Sequence, residues 1–388
     1  MSYSGETREI PFGRPMIGAE EKAAMNEVLS GHILTHGPRC LEFEEKFADL
    51  IGVKHAVTTS SCTTALHLSL MAIGVDKDDE VIVPAETHVA TAHAVEHQSA
   101  KPVFVDVERE TGNISPDLIE AAITPRTKAI IVVHFLGLPC DMDRINKLAA
   151  KHNIAVLEDC ALALGASWDG IKPGSIGTTG SFSFYPTKHM TTLEGGMLTT
   201  NDDAVATLVR QKRAFGYDKN LGERSQPGVY DIAMLGYNYR MSEGHAAVGI
   251  CQLDKLDGFI QSRRENTKVL LSGLSEISEL ATFPISHGKA KSGFYCVNAV
   301  LPDDGRIDRP TVVGRLNKAG IGTSVHYPIA LPLSRYYKEK YGEAGGPWPV
   351  AKWISAQTIS LPVGPHLTTD DMRYISCHMK EAIAEGRN

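Results

Sequence analysis

The 388-residue chain is 43% hydrophobic and 22% charged, the make-up of an ordinary globular protein, and its length favours two domains over a single core. Its 39 basic and 46 acidic side chains leave a net charge of −7 with no long basic run, which argues against a nucleic-acid partner. No apolar run approaches the ~20 residues of a membrane helix, residues 1–9 lack a basic leader with an apolar core, and the seven cysteines are scattered without a C-x-x-C pair. These features predict a cytoplasmic protein with reduced thiols, no membrane contact and no metal.

Between residues 55 and 160 short β-rich runs alternate with helical periods. Residues 55–59 predict a strand, and Leu66, Leu70 and Ile73 share one face of a helix over 64–73 that Gly74 stops. Residues 80–85 and 103–107 read as the next strands. Ser115-Pro116 then opens a helix with Leu118, Ile119, Ala122 and Ile123 in helical spacing. Residues 129–134 are a near-continuous apolar strand, a helix carrying Ile145, Leu148 and Ala149 ends near Asn153, and residues 154–159 return as a strand. Continuous apolar strands alternating with helices predict an α/β fold with a parallel sheet covered on both faces. In such sheets ligands sit at the carboxyl ends of the strands, where residues 58–63, residues 86–88 and Asp159 fall. Past Met197 the chain turns helical and polar, notably over 242–264. Composition shifts near 286–291, residues 294–301 read as a strand, and a smaller α+β domain begins past residue 255.

Lys188 stands in the run Ser181-Phe-Ser-Phe-Tyr-Pro-Thr-Lys188-His-Met-Thr-Thr-Leu-Glu-Gly-Gly196, between an aromatic-alternating strand and a Gly-Gly turn. A lysine at a strand end is either a surface charge or a buried nucleophile. To form an imine with pyridoxal phosphate it needs an anion under the ring nitrogen, a flat group against the ring, a phosphate cup and an acid or base. Asp159, ending a buried strand, offers the anion. Ser61-Cys62-Thr63 opens a helix, where free N–H groups and the helix dipole favour a phosphate, Ser183 adds a hydroxyl, and His88 offers a flat ring. Singly each has a plainer explanation: a cap for Asp159, Ser61 and Thr63, a solvated charge for Lys188, a satisfied polar group for His88. Their weight comes from occurring together.

With Glu158-Asp159 upstream, the Lys188 run resembles that of the DegT/DnrJ/EryC1/StrS family of fold-type-I, PLP-dependent sugar aminotransferases. The likeness spans nearly the whole chain. Residues 10–12 (Ile-Pro-Phe) and 33–38 (Ile-Leu-Thr-His-Gly-Pro) are similar to the family's opening, and 65–68 (Ala-Leu-His-Leu) to its phosphate-cup helix. Residues 236–243 (Gly-Tyr-Asn-Tyr-Arg-Met-Ser-Glu) resemble the segment with which a neighbouring subunit completes the site, while 320–328 and 361–368 resemble the C-terminal signatures. The resemblance implies a large cofactor-binding domain over residues 1–255, built on a mostly parallel seven-stranded sheet, and a smaller α+β domain over 256–388. It further implies that Lys188 carries the imine and shuttles the proton, that Asp159 pairs with the pyridine nitrogen, and that His88 stacks on the ring. Cys62, Thr63 and Ser183 would hold the phosphate, Asn238 would reach the phosphate of a partner subunit in a homodimer with composite sites, and His326 would lie near the sugar. The implied reaction moves an amino group from an amino acid, L-glutamate first, to a nucleotide-linked keto sugar.

Four positions depart from the family pattern: Leu162, where Gln or His is usual near the ring's phenolic oxygen; Leu164, where His is common; Leu193, where Gly is common; and Cys62, where Gly is frequent and the backbone should still serve. Lys188 is present beside His189, whereas the dehydrating branch has His in place of the lysine, so transamination is preferred. Thr191-Thr-x-Glu194-Gly-Gly resembles members acting at C4, which favours a 4-keto-6-deoxyhexose over a keto-cyclitol or other keto precursor. A PLP-binding regulator is the non-enzymatic alternative, with no basic patch or appended DNA-binding motif to support a DNA-binding form. His93-Ala-Val-Glu96-His97 fits the zinc-peptidase pattern H-x-x-E-H, against which a structural histidine pair on a packing helix is preferred.

Overall fold

The computed structural model describes residues 7–218, 226, 229–343 and 346–386. Residues 1–6, on which the reading of the N-terminus partly rests, lie outside the described residues. In chain order the elements are α1 (Ala19–Ser30), α2 (Pro38–Ile51), β1 (His55–Thr59), α3 (Cys62–Ala72), β2 (Glu80–Pro84), α4 (Val89–His97), β3 (Lys101–Val105), α5 (Pro116–Ala122), β4 (Thr127–Val133) and α6 (Met142–His152). There follow β5 (Ala155–Asp159), β6 (Ser167–Trp168), β7 (Thr179–Ser183), β8 (Gly196–Thr200), α7 (Asp203–Lys212), α8 (Glu243–Leu274), β9 (Ala281–Thr282), β10 (Ser286–His287), β11 (Ala290–Lys291), β12 (Val297–Val300), α9 (Arg309–Lys318), α10 (Arg335–Tyr341), α11 (Pro349–Gln357), β13 (Thr358–Leu361) and α12 (Thr369–Glu385).

Seven strands form one sheet in the order β1-β8-β7-β5-β4-β2-β3. Only β8 runs against its neighbours; the pairs β7/β5, β5/β4, β4/β2 and β2/β3 are parallel. The sheet is therefore mostly parallel and seven-stranded, as the resemblance implied. Its central strands read as unbroken apolar runs because helices cover both faces: Val81, Ile82, Val83 and Ile130 to Val132 have no solvent contact. α3 starts two residues earlier than its apolar period, at Cys62, since the Ser61 hydroxyl accepts the Thr64 N–H at 3.2 Å while Thr64 Oγ1 accepts the Ser61 N–H at 3.1 Å.

Past the sheet, α8 runs unbroken for 32 residues, so the division expected after residue 255 falls inside a continuous helix. Its first part belongs with the sheet side: Glu243 accepts the Gly37 and Arg39 N–H groups at the start of α2, and Lys255 pairs with Glu21 of α1. Its last part, at Gly273, lies against Ser376 of α12. There β9, β12 and β13 make a small antiparallel sheet, packed by Leu270, Met372 and Ile375. The N-terminal segment also belongs to this side, with Ile10 bridging Ile321 and Arg8 paired with Asp370 and Asp371. The strand expected over 294–301 is only Val297–Val300; Phe294 adopts a left-handed φ of 59°, which ends the extended run.

The zinc-peptidase pattern on α4 is engaged otherwise. His93 Nδ1 shares a hydrogen bond with the Tyr337 hydroxyl at 2.8 Å, and Glu96 binds Lys340 and accepts the Tyr341 hydroxyl at 2.7 Å. These side chains fasten α10 to α4. Among the described residues no helix is long and apolar enough to cross a membrane.

Candidate active site

At the carboxyl ends of β5 and β7 a cavity of about 250 Å³ is lined by Ser61, Cys62, Thr63, His88, Asp159, Ser183 and Lys188, with Val133, Leu162 and Tyr327 among the remaining walls. Six cofactor ligands expected from sequence thus meet in one place. A larger groove of about 790 Å³ between α8 and α12 contains none of them.

Lys188 follows the turn after β7, its N–H bonded to the Tyr185 carbonyl at 2.9 Å. Its Nζ lies 5.4 Å from the centre of the Tyr295 ring, and among the described residues no carboxylate is within ion-pair reach. Burial lowers the ammonium below its ordinary value and outweighs the opposing pull of Cys62, Asp159 and Cys296. A lysine so placed carries a larger share of the neutral, nucleophilic amine. His189, one residue on, turns into the core, where Nε2 donates to the Gly293 carbonyl at 2.7 Å and burial holds the ring neutral.

Strand alternation separates the two adjacent acids of β5. Glu158 faces away from the cavity and is saturated by the N–H groups of Gly174, Ile176 and Gly177 and by His134. That accounts for the cluster of His134, Glu158 and Cys160, whose ligand atoms lie within 4.8 Å of one another; the carboxylate anchors a loop. Asp159 faces the cavity. Its Oδ2 accepts the Thr91 hydroxyl at 2.9 Å and its Oδ1 accepts the Ala161 N–H at 3.1 Å. Those two donors fix the plane of the carboxylate. Cys62 Sγ stands 4.0 Å from Oδ1, and burial together with Asp159 pushes that thiol well up, so it stays neutral.

The cup is the N-terminus of α3, with Ser61 as its cap. The N–H groups of Cys62 and Thr63 fall in the first turn, which has no carbonyl partners within the helix and suits an anion. The second glycine of the Gly-Gly pair in the Lys188 run, Gly196, shapes this cup. A Cβ at Gly196 would lie 2.6 Å from Cys62 N and closer still to the Ser61 carbonyl. We therefore expect Gly196→Ala to displace the cup, lowering pyridoxal phosphate affinity by about tenfold or more and destabilising the fold by roughly 1–3 kcal/mol. A cofactor titration and thermal denaturation check both effects.

His88 caps α4, its Nδ1 accepting the Ala90 N–H at 3.2 Å, so the neutral ring carries its proton on Nε2. Burial and Lys188 lower its pKa. The ring sits 5.8 Å from that of Tyr327 at an interplanar angle of 65°. His326 does not line the cavity; its neighbour Tyr327 does. The His326 Nδ1 bonds the Ser360 hydroxyl at 2.8 Å, and burial brings the ring down to about 3. Asn238 also stands outside this cavity, exposed, its backbone bridged to Ala214. Of the departures, Leu162 lines the cavity and gives it an apolar wall, Leu164 is packed in the core with Phe184, and Leu193 is 47% exposed at a left-handed φ of 69°. That backbone explains why glycine suits position 193: a side chain there costs roughly 1 kcal/mol. Thr91 and Tyr327 escaped the sequence reading. Thr91 follows His88 by three positions on α4, a helical spacing that could have flagged it; Tyr327 carried no signal beyond standing next to His326.

The chain matches the DegT/DnrJ/EryC1/StrS aminotransferase family over residues 15–380. It is 38% identical over 368 residues to the spore coat polysaccharide biosynthesis protein SpsC of Bacillus subtilis, covering 94% of each chain. Among solved structures it is similar to the putative sugar aminotransferase Spr1654 from Streptococcus pneumoniae in its PMP form, with a TM-score of 0.91 at 30% identity over 97% of this chain and 100% of that one. It is also similar to DesI in the presence of its TDP-sugar product, with a TM-score of 0.88 at 31% identity over 99% and 95% of the two chains.

Proposed function

The chain belongs to the DegT/DnrJ/EryC1/StrS aminotransferase family, and from that premise we propose that it moves an amino group from L-glutamate to a nucleotide-linked 4-keto-6-deoxyhexose. The observation that carries this reading is Lys188, with its lowered ammonium and no ion-pair partner among the described residues, sharing one cavity with the Asp159 carboxylate. The enzyme is a PLP-dependent aminotransferase, and the residues present fit the cofactor: an oriented carboxylate, a lysine and a helix N-terminus crowded by Gly196. Bound there, pyridoxal phosphate supplies an electron sink for the charge that develops on the substrate carbon.

In this reading Lys188 Nζ would hold the cofactor and, once displaced, would carry the proton between the substrate carbon and the cofactor carbon, in one direction for the amino donor and in the other for the keto sugar. Asp159 keeps a proton on the ring nitrogen, oriented by Thr91 and Ala161. Ser61, Cys62, Thr63 and Ser183 hold the phosphate, and His88 packs on the ring. These groups fall within residues 1–255, which we read as the cofactor domain although Arg8 and Ile10 pack on the smaller one, while residues 256–388 form the smaller domain that contributes Tyr327. The exposed Asn238, together with the exposed apolar side chains Leu34, Phe215, Ile232 and Leu235, supports a homodimer in which Asn238 serves the partner's site. His326 is then a packing residue near the sugar and not its direct contact. The sugar is supported by the similarity to SpsC, a spore coat polysaccharide biosynthesis protein, and to DesI, solved in the presence of its TDP-sugar product, the C4 position by the Thr191-Thr-x-Glu194-Gly-Gly form. A soluble nucleotide-linked substrate supports a cytoplasmic location.

Protein loaded with pyridoxal phosphate is to be mixed with glutamate and a panel of nucleotide-linked keto sugars, with the amino-sugar product followed by mass. Bleaching of the cofactor band by glutamate and amination of a 4-keto sugar are expected. Amination of only keto-cyclitols would replace the acceptor, and a band indifferent to every amino donor would leave a cofactor-binding regulator.

A further inference from the structure

Glu86 lies in the loop from β2 to α4, two residues before His88, and is 1% exposed. Its carboxyl spans to the C-terminal part of the chain at two atoms. Oε1 accepts the Tyr327 N–H at 2.6 Å, and Oε2 shares a hydrogen bond with the Ser355 hydroxyl of α11 at 3.0 Å. The adjoining Ala85 carbonyl accepts the Leu331 N–H at 2.8 Å. The loop carrying His88 and the segment carrying Tyr327 are thus fastened together beneath the two rings, 5.8 Å apart, that line the cavity. Nothing in the chemistry of ring stacking or proton transfer requires an acid at position 86.

We propose that Glu86 is a positioning residue for the cofactor, its carboxyl holding the Tyr327 backbone so that the Tyr327 and His88 rings form a fixed wall of the site. This rests on reading the cavity as the cofactor site. Burial pushes the Glu86 carboxyl up to about 8 against the opposing bonds from Tyr327 and Ser355, with Asp106 adding repulsion. Asp106, just past β3, is itself held by the Val350 and Ala351 N–H groups of α11. The phenol of Tyr327, pushed well above its ordinary value, is the other titratable group facing Glu86. At neutral pH the carboxyl therefore keeps its proton and sits uncharged among these groups. A carboxyl raised in the folded state contributes stability that is complete below its ordinary value of 4.5 and is lost progressively as the pH rises through about 8. The wall is therefore tightest in acid, partly loosened at neutral pH and loosest once the carboxyl has ionised in alkali.

The test is pyridoxal phosphate affinity, with the circular dichroism of the bound cofactor, measured at pH 7 and in alkali for the full-length wild type, Glu86→Gln and Glu86→Ala. Glu86→Ala leaves the Tyr327 N–H without its acceptor and is expected to weaken cofactor binding about tenfold and to reduce the dichroism. Glu86→Gln keeps an acceptor for Tyr327 and a partner for Ser355, so it should restore affinity at pH 7. It should also remove the alkaline weakening, about threefold or more, expected of the wild type. Wild-type affinity and dichroism in Glu86→Ala overturn the proposal. Should that variant not fold, an alkaline weakening in Glu86→Gln as large as in the wild type overturns it as well. Failure of the cavity reading is seen separately, as a cofactor that remains covalently linked in Lys188→Ala.

Discussion

Lys188→Ala is expected to lower turnover by on the order of 10³-fold or more, because one atom, Nζ, serves both as the attachment point and as the proton carrier. The loss should be chemical and not conformational. Lys188 has no ion-pair partner among the described residues, and its ammonium is lowered by burial. A base lowered in this way burdens the folded state at any pH where the unfolded chain would carry the proton, so folding gains nothing from the charge at neutral pH. The alanine variant should therefore melt no lower than the wild type. The cup at Ser61, Cys62 and Thr63, with Ser183, is untouched and should still hold pyridoxal phosphate, now removable by dialysis and without the absorbance of a lysine linkage. In the wild type the same lowering predicts activity that rises with pH on the acid side as Lys188 loses its proton. Turnover within a few-fold of wild type in the alanine variant would sink the assignment.

The sheet was legible because burial on both faces leaves its mark in every residue of a strand: Val81 to Val83 and Ile130 to Val132 read as apolar without a break. The ligands at the strand ends were legible because each follows directly from a strand or opens a helix, so local pattern places it within a residue or two. What stayed hidden depends on contacts across the chain. Glu86 meets Tyr327 across 241 positions and Ser355 across 269, and no periodicity connects them. The resemblance over 320–328 therefore pointed to the histidine of His326-Tyr327, while the fold turns that ring toward Ser360 and presents the tyrosine. The same limit explains α4. His93, Glu96 and His97 do share a helix region, yet the partners of His93 and Glu96, namely Tyr337, Lys340 and Tyr341, arrive from some 240 positions away, while the His97 ring lies against that of His67. Composition marks a change near residue 286, but a helix of 32 residues that serves both cores leaves no sequence break at the division.

Asp159→Asn is the second large effect, a fall in turnover on the order of 10²–10³-fold. The substitution is close to isosteric, and the bonds of Asp159 show how the amide would sit. Oδ1 accepts a backbone N–H from Ala161, so the amide oxygen must take that place and the NH₂ must face Thr91. Thr91 can adapt, because its hydroxyl also lies 2.8 Å from that of Thr87 and can donate there while accepting from the amide. The cavity keeps its shape, and the change is confined to one negative charge and the proton that charge holds on the cofactor ring. Without that proton the ring withdraws electrons poorly, so the step that removes the substrate proton at Lys188 slows while cofactor affinity changes much less. Replacing the α-proton of glutamate by deuterium should then give a larger rate effect in the variant than in the wild type, since proton removal becomes more fully limiting. A variant with near-normal turnover and an unchanged isotope effect would remove Asp159 from beneath the ring nitrogen and leave its bonds to Thr91 and Ala161 as an ordinary strand-end cap.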